Sequence, residues 1–144
     1  MSNFVFTIAK GAVAEKVRLN PSNLLVMLLK TAEPDTAMKT RASLAEVLAH
    51  SVEADFTGYA RKTGLTGAVT YDLLDERVVV TFPDQVWAAA GGPAQNTLAK
   101  LVVAIEATPS DLGRIPLAAH DLIVTTDGSD LAPVMNGAGW YLAV

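Results

Sequence analysis

The chain has 144 residues, of which 51% are hydrophobic and 18% charged, and it carries a net charge of −4. That length and composition fit one globular domain able to bury a core, and exclude a disordered chain or one built to neutralise nucleic-acid phosphates. Cysteine is absent, which excludes disulfides and thiolate zinc sites.

Residues 1–22 read as an N-terminal arm or short helix. Asn3 is placed to cap it, and Phe4, Ile8 and Ala12 recur at helical spacing. No basic segment precedes its apolar residues, and Lys10 interrupts them, so it does not read as a secretory signal. "NPSN" (Asn20 to Asn23) reads as a turn, and "LLVMLLK" after it as a buried strand. The apolar run Leu24 to Leu29 is far too short to cross a membrane, so a soluble protein is expected. "TAEPDTAMKT" is a connector. In "SLAEVLAH", Ser43 and Glu46 have capping-box spacing, and Leu44, Val47 and Leu48 form the stripe of a two-turn helix. His50 falls at its C-terminal end, where positive charge is favoured.

"LTGAVTYDLLDERVVVTF" reads as a hairpin turning at "LLDER". Val69, Tyr71 and Leu73 share one face of its first strand, and Val78, Val80 and Phe82 one face of the second. A loop around Gly91-Gly92-Pro93 follows, then strands at "LAKLVVAIEA", "IPLAAHDLIVTT", "LAPVM" and "GWYLAV", separated by "DGSD" and "NGAG". The expected fold is mainly β: a single antiparallel β-sandwich or barrel-like domain over residues 1–144, with one or two short peripheral helices.

Chemistry is sparse. His50 and His120 stand far apart, neither at metal-ligand spacing, and no nucleophile elbow accompanies His120-Asp121. "TDGSD" offers calcium-loop oxygens at Asp127, Ser129 and Asp130 but lacks the later ligands, so it reads as a turn. Gly91-Gly92 is not followed by a phosphate-binding Lys-Ser/Thr. Trp87 and Trp140 could line a sugar platform, but large aromatics more often anchor a core or interface. "EADFTGYARKTG", from Glu53, gathers acids, aromatics, glycines and an Arg-Lys pair without a His or Cys. No catalytic residue, metal site or cofactor is expected.

"AKGAVAEKV", "NLLVMLLK", "EADFTGYARKT", "YDLLDERVVVTFPDQVWAAAGG", "NTLAKLVVAIE", "IPLAAHDLIVTTDGSDL" and "GAGWYLAV" resemble, in order, a group of small virion structural proteins that tailed phages of actinobacteria encode among their head genes. "GYARK" and "HDLIVTTDGSDL" carry the most specific part of the resemblance. It implies a non-enzymatic head decoration (cement) protein on the capsid surface. Its partners would be the major capsid protein and its own copies, as a trimer, with no nucleic acid and no membrane. Alternatives are a tail or connector component, or a carbohydrate-binding β-sandwich aiding adsorption. Phe4, Phe6, Arg61 and Lys62 are the candidate capsid or self-contact residues. Deleting residues 2–9 would then weaken assembly and leave the β domain folded.

The sequence lacks a nucleophile–base pair and a ligand cluster. The purified chain is therefore expected to show no hydrolase or transferase activity and no stoichiometric metal; elemental analysis finding one zinc or calcium per chain would overturn that.

Overall fold

Strand β2 (Leu24–Thr31) is buried at every position from Leu24 to Leu29, so neither of its faces meets water. A run of consecutive apolar residues is what such a strand requires, in place of alternation. The computed structural model describes residues 4–6, 23–72, 77–81, 83–133 and 141–143. Within them β1 (Phe4–Val5), β2, β3 (Val52–Glu53), β4 (Lys62–Leu65), β7 (Lys100–Glu106) and β8 (Arg114–Asp121) form a six-stranded sheet. Its order is β1-β8-β7-β2, with β3 and β4 sharing the far edge of β2. A second sheet joins β5 (Ala68–Asp72), β6 (Arg77–Thr81) and β9 (Tyr141–Ala143) in the order β5-β6-β9. Among the described residues all strand pairings are antiparallel. The protein is mainly β, as its sequence implies. Among the described residues the larger sheet is open, with β1 at one edge and β3 and β4 at the other.

The core lies around β2 and β7, which pair from Leu24↔Ile105 to Leu29↔Lys100. Lys100 through Ile105 are buried as completely as their partners. Helix α2 (Leu44–His50) contacts both β8 and β3, so it lies across one face of the sheet with Leu44 and Val47 turned inward. The Ser43 hydroxyl accepts from the Glu46 amide at 3.2 Å. The Glu46 carboxylate reaches one residue beyond the expected reciprocal bond, accepting from Ala42 N at 2.9 Å. His50 closes the last turn. Inside the expected connector, one helical turn, α1 (Asp35–Met38), buries Met38 against the core. Irregular segments 54–60, 86–98 and 122–131 supply the remaining cover, including Phe56, Trp87, Ala90 and Leu98.

The β5–β6 pairing sets Val69 opposite Val80 and Tyr71 opposite Val78, the shared faces read from the alternation. Leu73 and Phe82 lie outside the described residues, as do Ile8, Ala12, Asn20–Ser22 and the "NGAG" turn. Strand β4 has no counterpart in the sequence reading; its Thr63 and Gly64 carry no apolar signal. "IPLAAHDLIVTT" is a strand only to Asp121, so His120 and Asp121 are the last two residues of β8. From "LAPVM", Leu131 makes an isolated bridge to Trp87, while Val134 and Met135 lie outside the described residues.

Pro116 sits within β8 at a bulge: Val103 pairs with Ala118 and Ala104 with Pro116, leaving Leu117 as the extra residue. A proline lacks the amide a regular ladder needs, and a bulge is where a strand tolerates that. The carbonyl of Leu117 accepts from Phe6 N at 3.1 Å. At the turn between β7 and β8, a β-carbon on Gly113 would stand 1.8 Å from Thr108 Oγ1, so any other residue there would have to displace Thr108.

Phe4 and Val5 are extended, pairing with Ala119 and Ala118, and not helical. At these two residues the unpaired edge of β8, a partner more than a hundred residues away in sequence, sets the conformation. Phe6 is fully buried in the core, and its ring meets that of half-buried Phe4 edge-on at 5.3 Å. Removing residues 2–9 therefore removes core, and a folded domain is not expected to survive it intact. Phe6→Ala is expected to lower unfolding free energy by about 3–5 kcal/mol. Urea denaturation checks this, and a loss no larger than that of an exposed side chain would place the ring outside the core.

Candidate functional site

The stretch from Glu53 to Lys62 occupies the β2 edge where β3 and β4 meet. Strand β3 pairs with Leu29–Thr31 and β4 with Leu24–Val26, so the ladder is interrupted between them. Tyr59 fills the break. Its hydroxyl accepts from Leu28 N at 3.2 Å and donates to Glu53 Oε2 at 2.5 Å. Its ring packs edge-on against buried Phe56 at 5.3 Å. A phenol here replaces a missing strand partner, since a buried amide left unpaired is costly.

Arg61 extends this link. Its Nε and Nη2 donate to the two Glu53 oxygens at 2.8 Å each, a fork on a carboxylate. On the other side Nη1 and Nη2 donate to Asp111 at 2.7 and 3.2 Å. Asp111 Oδ1 also accepts from Arg114 Nη1 at 2.9 Å, and Arg114 Nε donates to Glu106 at 2.8 Å. The series Tyr59–Glu53–Arg61–Asp111–Arg114–Glu106 thus runs from the β2 edge to the base of the β7–β8 turn. The Asp111 carbonyl takes Ala45 N, which ties in the start of α2. The Arg61 side chain is only 18% exposed and that of Glu53 23%. Hydrogen bonds donated to Glu53 and then to Asp111 hold the Arg61 guanidinium firmly in its charged form. The Arg61 hydrogen bond, followed by that of Arg114, holds the Asp111 carboxyl below its ordinary value. Burial, then the bond to Glu53, pushes the Tyr59 phenol up.

Lys62 is half-buried, its ammonium 5.3 Å from the centre of the Trp87 ring, a cation–π contact. Trp87 is 2% exposed and its Nε1 donates to Ala60 O at 2.8 Å. It is a core anchor, with no ring face offered as a sugar platform; Trp140 lies outside the described residues. Of the four candidate contact residues, Arg61 and Lys62 thus sit together at one edge, bonded within their own chain. Phe4 and Phe6 sit at the opposite edge.

The "DGSD" segment is a turn. Asp127 Oδ1 accepts from Ser129 N at 3.0 Å and from its hydroxyl, while Asp130 Oδ1 accepts from Ala89 N at 2.8 Å. Gly128 N donates to Ala90 O at 2.6 Å, and a β-carbon on neighbouring Gly91 (φ +96°) would press within 3.1 Å of that same nitrogen. Among the described residues, no group of three or more His, Asp or Glu side chains is disposed to hold a metal. No described helix is long and apolar enough to cross a membrane.

Sequence reasoning missed Lys100. It stands in the apolar run "LAKLVV", where a lysine surrounded by strand-core residues was the available signal. Its side chain is 1% exposed, with Nζ 2.6 Å from Asp121 Oδ1 and 3.0 Å from Asp35 Oδ1. A hollow of about 410 Å³ opens beside Lys100 and Asp35.

Compared with protein-family models, curated proteins and solved structures, the chain matches none.

Arg61→Ala would strand two partly buried carboxylates, at an expected cost of about 2–4 kcal/mol, between an exposed and a buried ion pair. Arg61→Lys should recover little of this, because an ammonium cannot form the double fork. The Asp111 carboxyl is lowered in the folded state, so its contribution is present above the unfolded value, near 4, and is lost as pH falls through the folded value. Urea midpoints measured from neutral pH down into the carboxylate range should fall less steeply for Arg61→Ala than for the parent. Equal slopes would show that the link does not hold Asp111.

Proposed function

We propose that the protein is a non-enzymatic virion structural protein, a capsid decoration (cement) protein that binds the major capsid lattice as a trimer. It acts by burying surface across subunit boundaries, so that the shell resists internal pressure. Repeated weak contacts over many lattice sites hold such a protein firmly. The observation that carries the reading is the ordered resemblance along nearly the whole chain to small head proteins of actinobacterial phages. The fold is consistent with it. The acids, Tyr and Arg of "EADFTGYARKTG" are engaged in holding strands and turns together, which is the work of a rigid scaffold. Arg61 donates to Glu53 and Asp111 of its own chain, so Lys62 is the more available cation at that edge.

The tip of the β7–β8 turn supplies a contact point. Leu112 is 81% exposed there, between Asp111, held by two arginines, and Gly113, whose amide donates to Ser110 O at 3.0 Å and whose carbonyl accepts from Ala107 N at 3.1 Å. An apolar residue on a fixed tip can enter a pocket on a partner with little ordering cost.

The reading is tested with phage heads assembled with and without the protein. Decorated heads should carry added density at the three-fold positions and release DNA at a higher temperature. Leu112→Asp should lower binding to undecorated heads while leaving the thermal midpoint of the free protein unchanged. Density on the tail alone would favour the tail or connector reading; no density on any particle would reject a virion role.

A further inference from the structure

We propose that Lys100 and Asp121 condense into an intramolecular isopeptide bond, with Asp35 moving the protons. The two residues are direct cross-strand partners in the β7–β8 ladder, so both side chains leave the sheet on the same face. Nζ already lies 2.6 Å from Asp121 Oδ1. The Lys100 side chain is fully buried and the Phe4 ring covers it, its centre 5.2 Å from Nζ. Asp35, at the start of α1, approaches from another element to 3.0 Å.

The ammonium is the buried member of the group, while the Asp35 and Asp121 side chains stay 22% and 23% exposed. Condensation removes one ammonium and one carboxylate and leaves a neutral amide. Holding amine and acyl carbon together supplies the orientation such a reaction otherwise lacks. The Asp35 carboxylate takes a proton from the Lys100 ammonium, freeing the nitrogen lone pair, and passes it to the Asp121 carboxylate. The amine attacks Asp121 Cγ, forming the C–N bond. Asp35 then carries a second proton from nitrogen to the departing oxygen, the C–O bond breaks, and water leaves. Ammonium and carboxylate become amide and water, with no oxidant or reductant, and Asp35 is regenerated. The hollow beside Asp35 and Lys100 gives the water an exit.

The bond would close the open end of the β7–β8 hairpin, whose other end is closed by the turn at Ala107–Gly113. This inference rests on the geometry alone and stands whether or not the protein decorates capsids.

The test is the intact mass of the full-length purified protein after denaturation. The expected mass is one water below that of the sequence, and a digest should contain a branched peptide joining the Lys100 and Asp121 fragments. Lys100→Met and Asp121→Ala should each restore the unbranched digest, and Asp35→Asn should leave the pair unlinked. The parent's own mass decides the matter even if a variant fails to fold. A parent with the full sequence mass after prolonged incubation, or a branch through Asp35, overturns the proposal. A parent-like yield of the linked product in Asp35→Asn overturns the role given to Asp35.

Discussion

A strand pair with no solvent-facing side sets the terms for everything around it. β2 and β7 bury consecutive residues, so both of their faces need cover. At about 25 cal/mol per Å² of apolar surface, that burial is the main favourable contribution to folding. A short helix can close only part of one face. The rest falls to irregular segments, and irregular backbone laid over a core must find hydrogen-bond partners outside any ladder.

Side chains meet that need. Tyr59 serves Leu28 N, Ser51 serves Glu33 N, Thr57 serves Ala94 N, Thr126 serves Asn96 N, and Asp130 serves Ala89 N. Asn96 accepts from Asp55 N and donates back to the Asp55 carboxylate, which also holds Lys30. Among the described residues, no buried side-chain nitrogen or oxygen lacks a partner. The arginine links belong to the same solution. Arg61 joins the β2 edge to the β7–β8 turn, and Arg41 forks onto Glu33 where the chain leaves β2. The polar groups of "EADFTGYARKTG" likewise serve strands and turns that cover a two-sided core.

The sequence shows what is local. The apolar run of β2, the cap at Ser43, the β5–β6 hairpin and the "DGSD" turn each depend on neighbours within a few residues, and each was legible. Partners distant in sequence were not. Phe4, read as the first residue of a helical spacing, is instead extended along the edge of β8. β4 forms because β2 has a free edge, despite an unremarkable "KTGL". Arg61 and Asp111 are fifty residues apart along the chain, and neither one's surroundings name the other. Lys100 looks like a solvated strand residue until both faces of β7 are known to be covered. The reading of Trp87 as either platform or anchor likewise turned on burial, which one residue's identity cannot supply.

The pairing of β2 with β7 also governs how the chain must be made. Leu24 cannot meet Ile105 until most of the polypeptide has been synthesised, and contacts so distant in sequence form slowly. Until then "LLVMLL" is an uncharged, proline-free apolar hexapeptide with two unsatisfied edges, the composition that seeds intermolecular β-association. Neighbouring nascent chains compete with β7 for the same edge. Yield of native protein is thus a kinetic contest, won by dilution, slow translation or a chaperone that shields the segment, and Lys30, immediately after it, is the nearest charge that opposes the wrong partner.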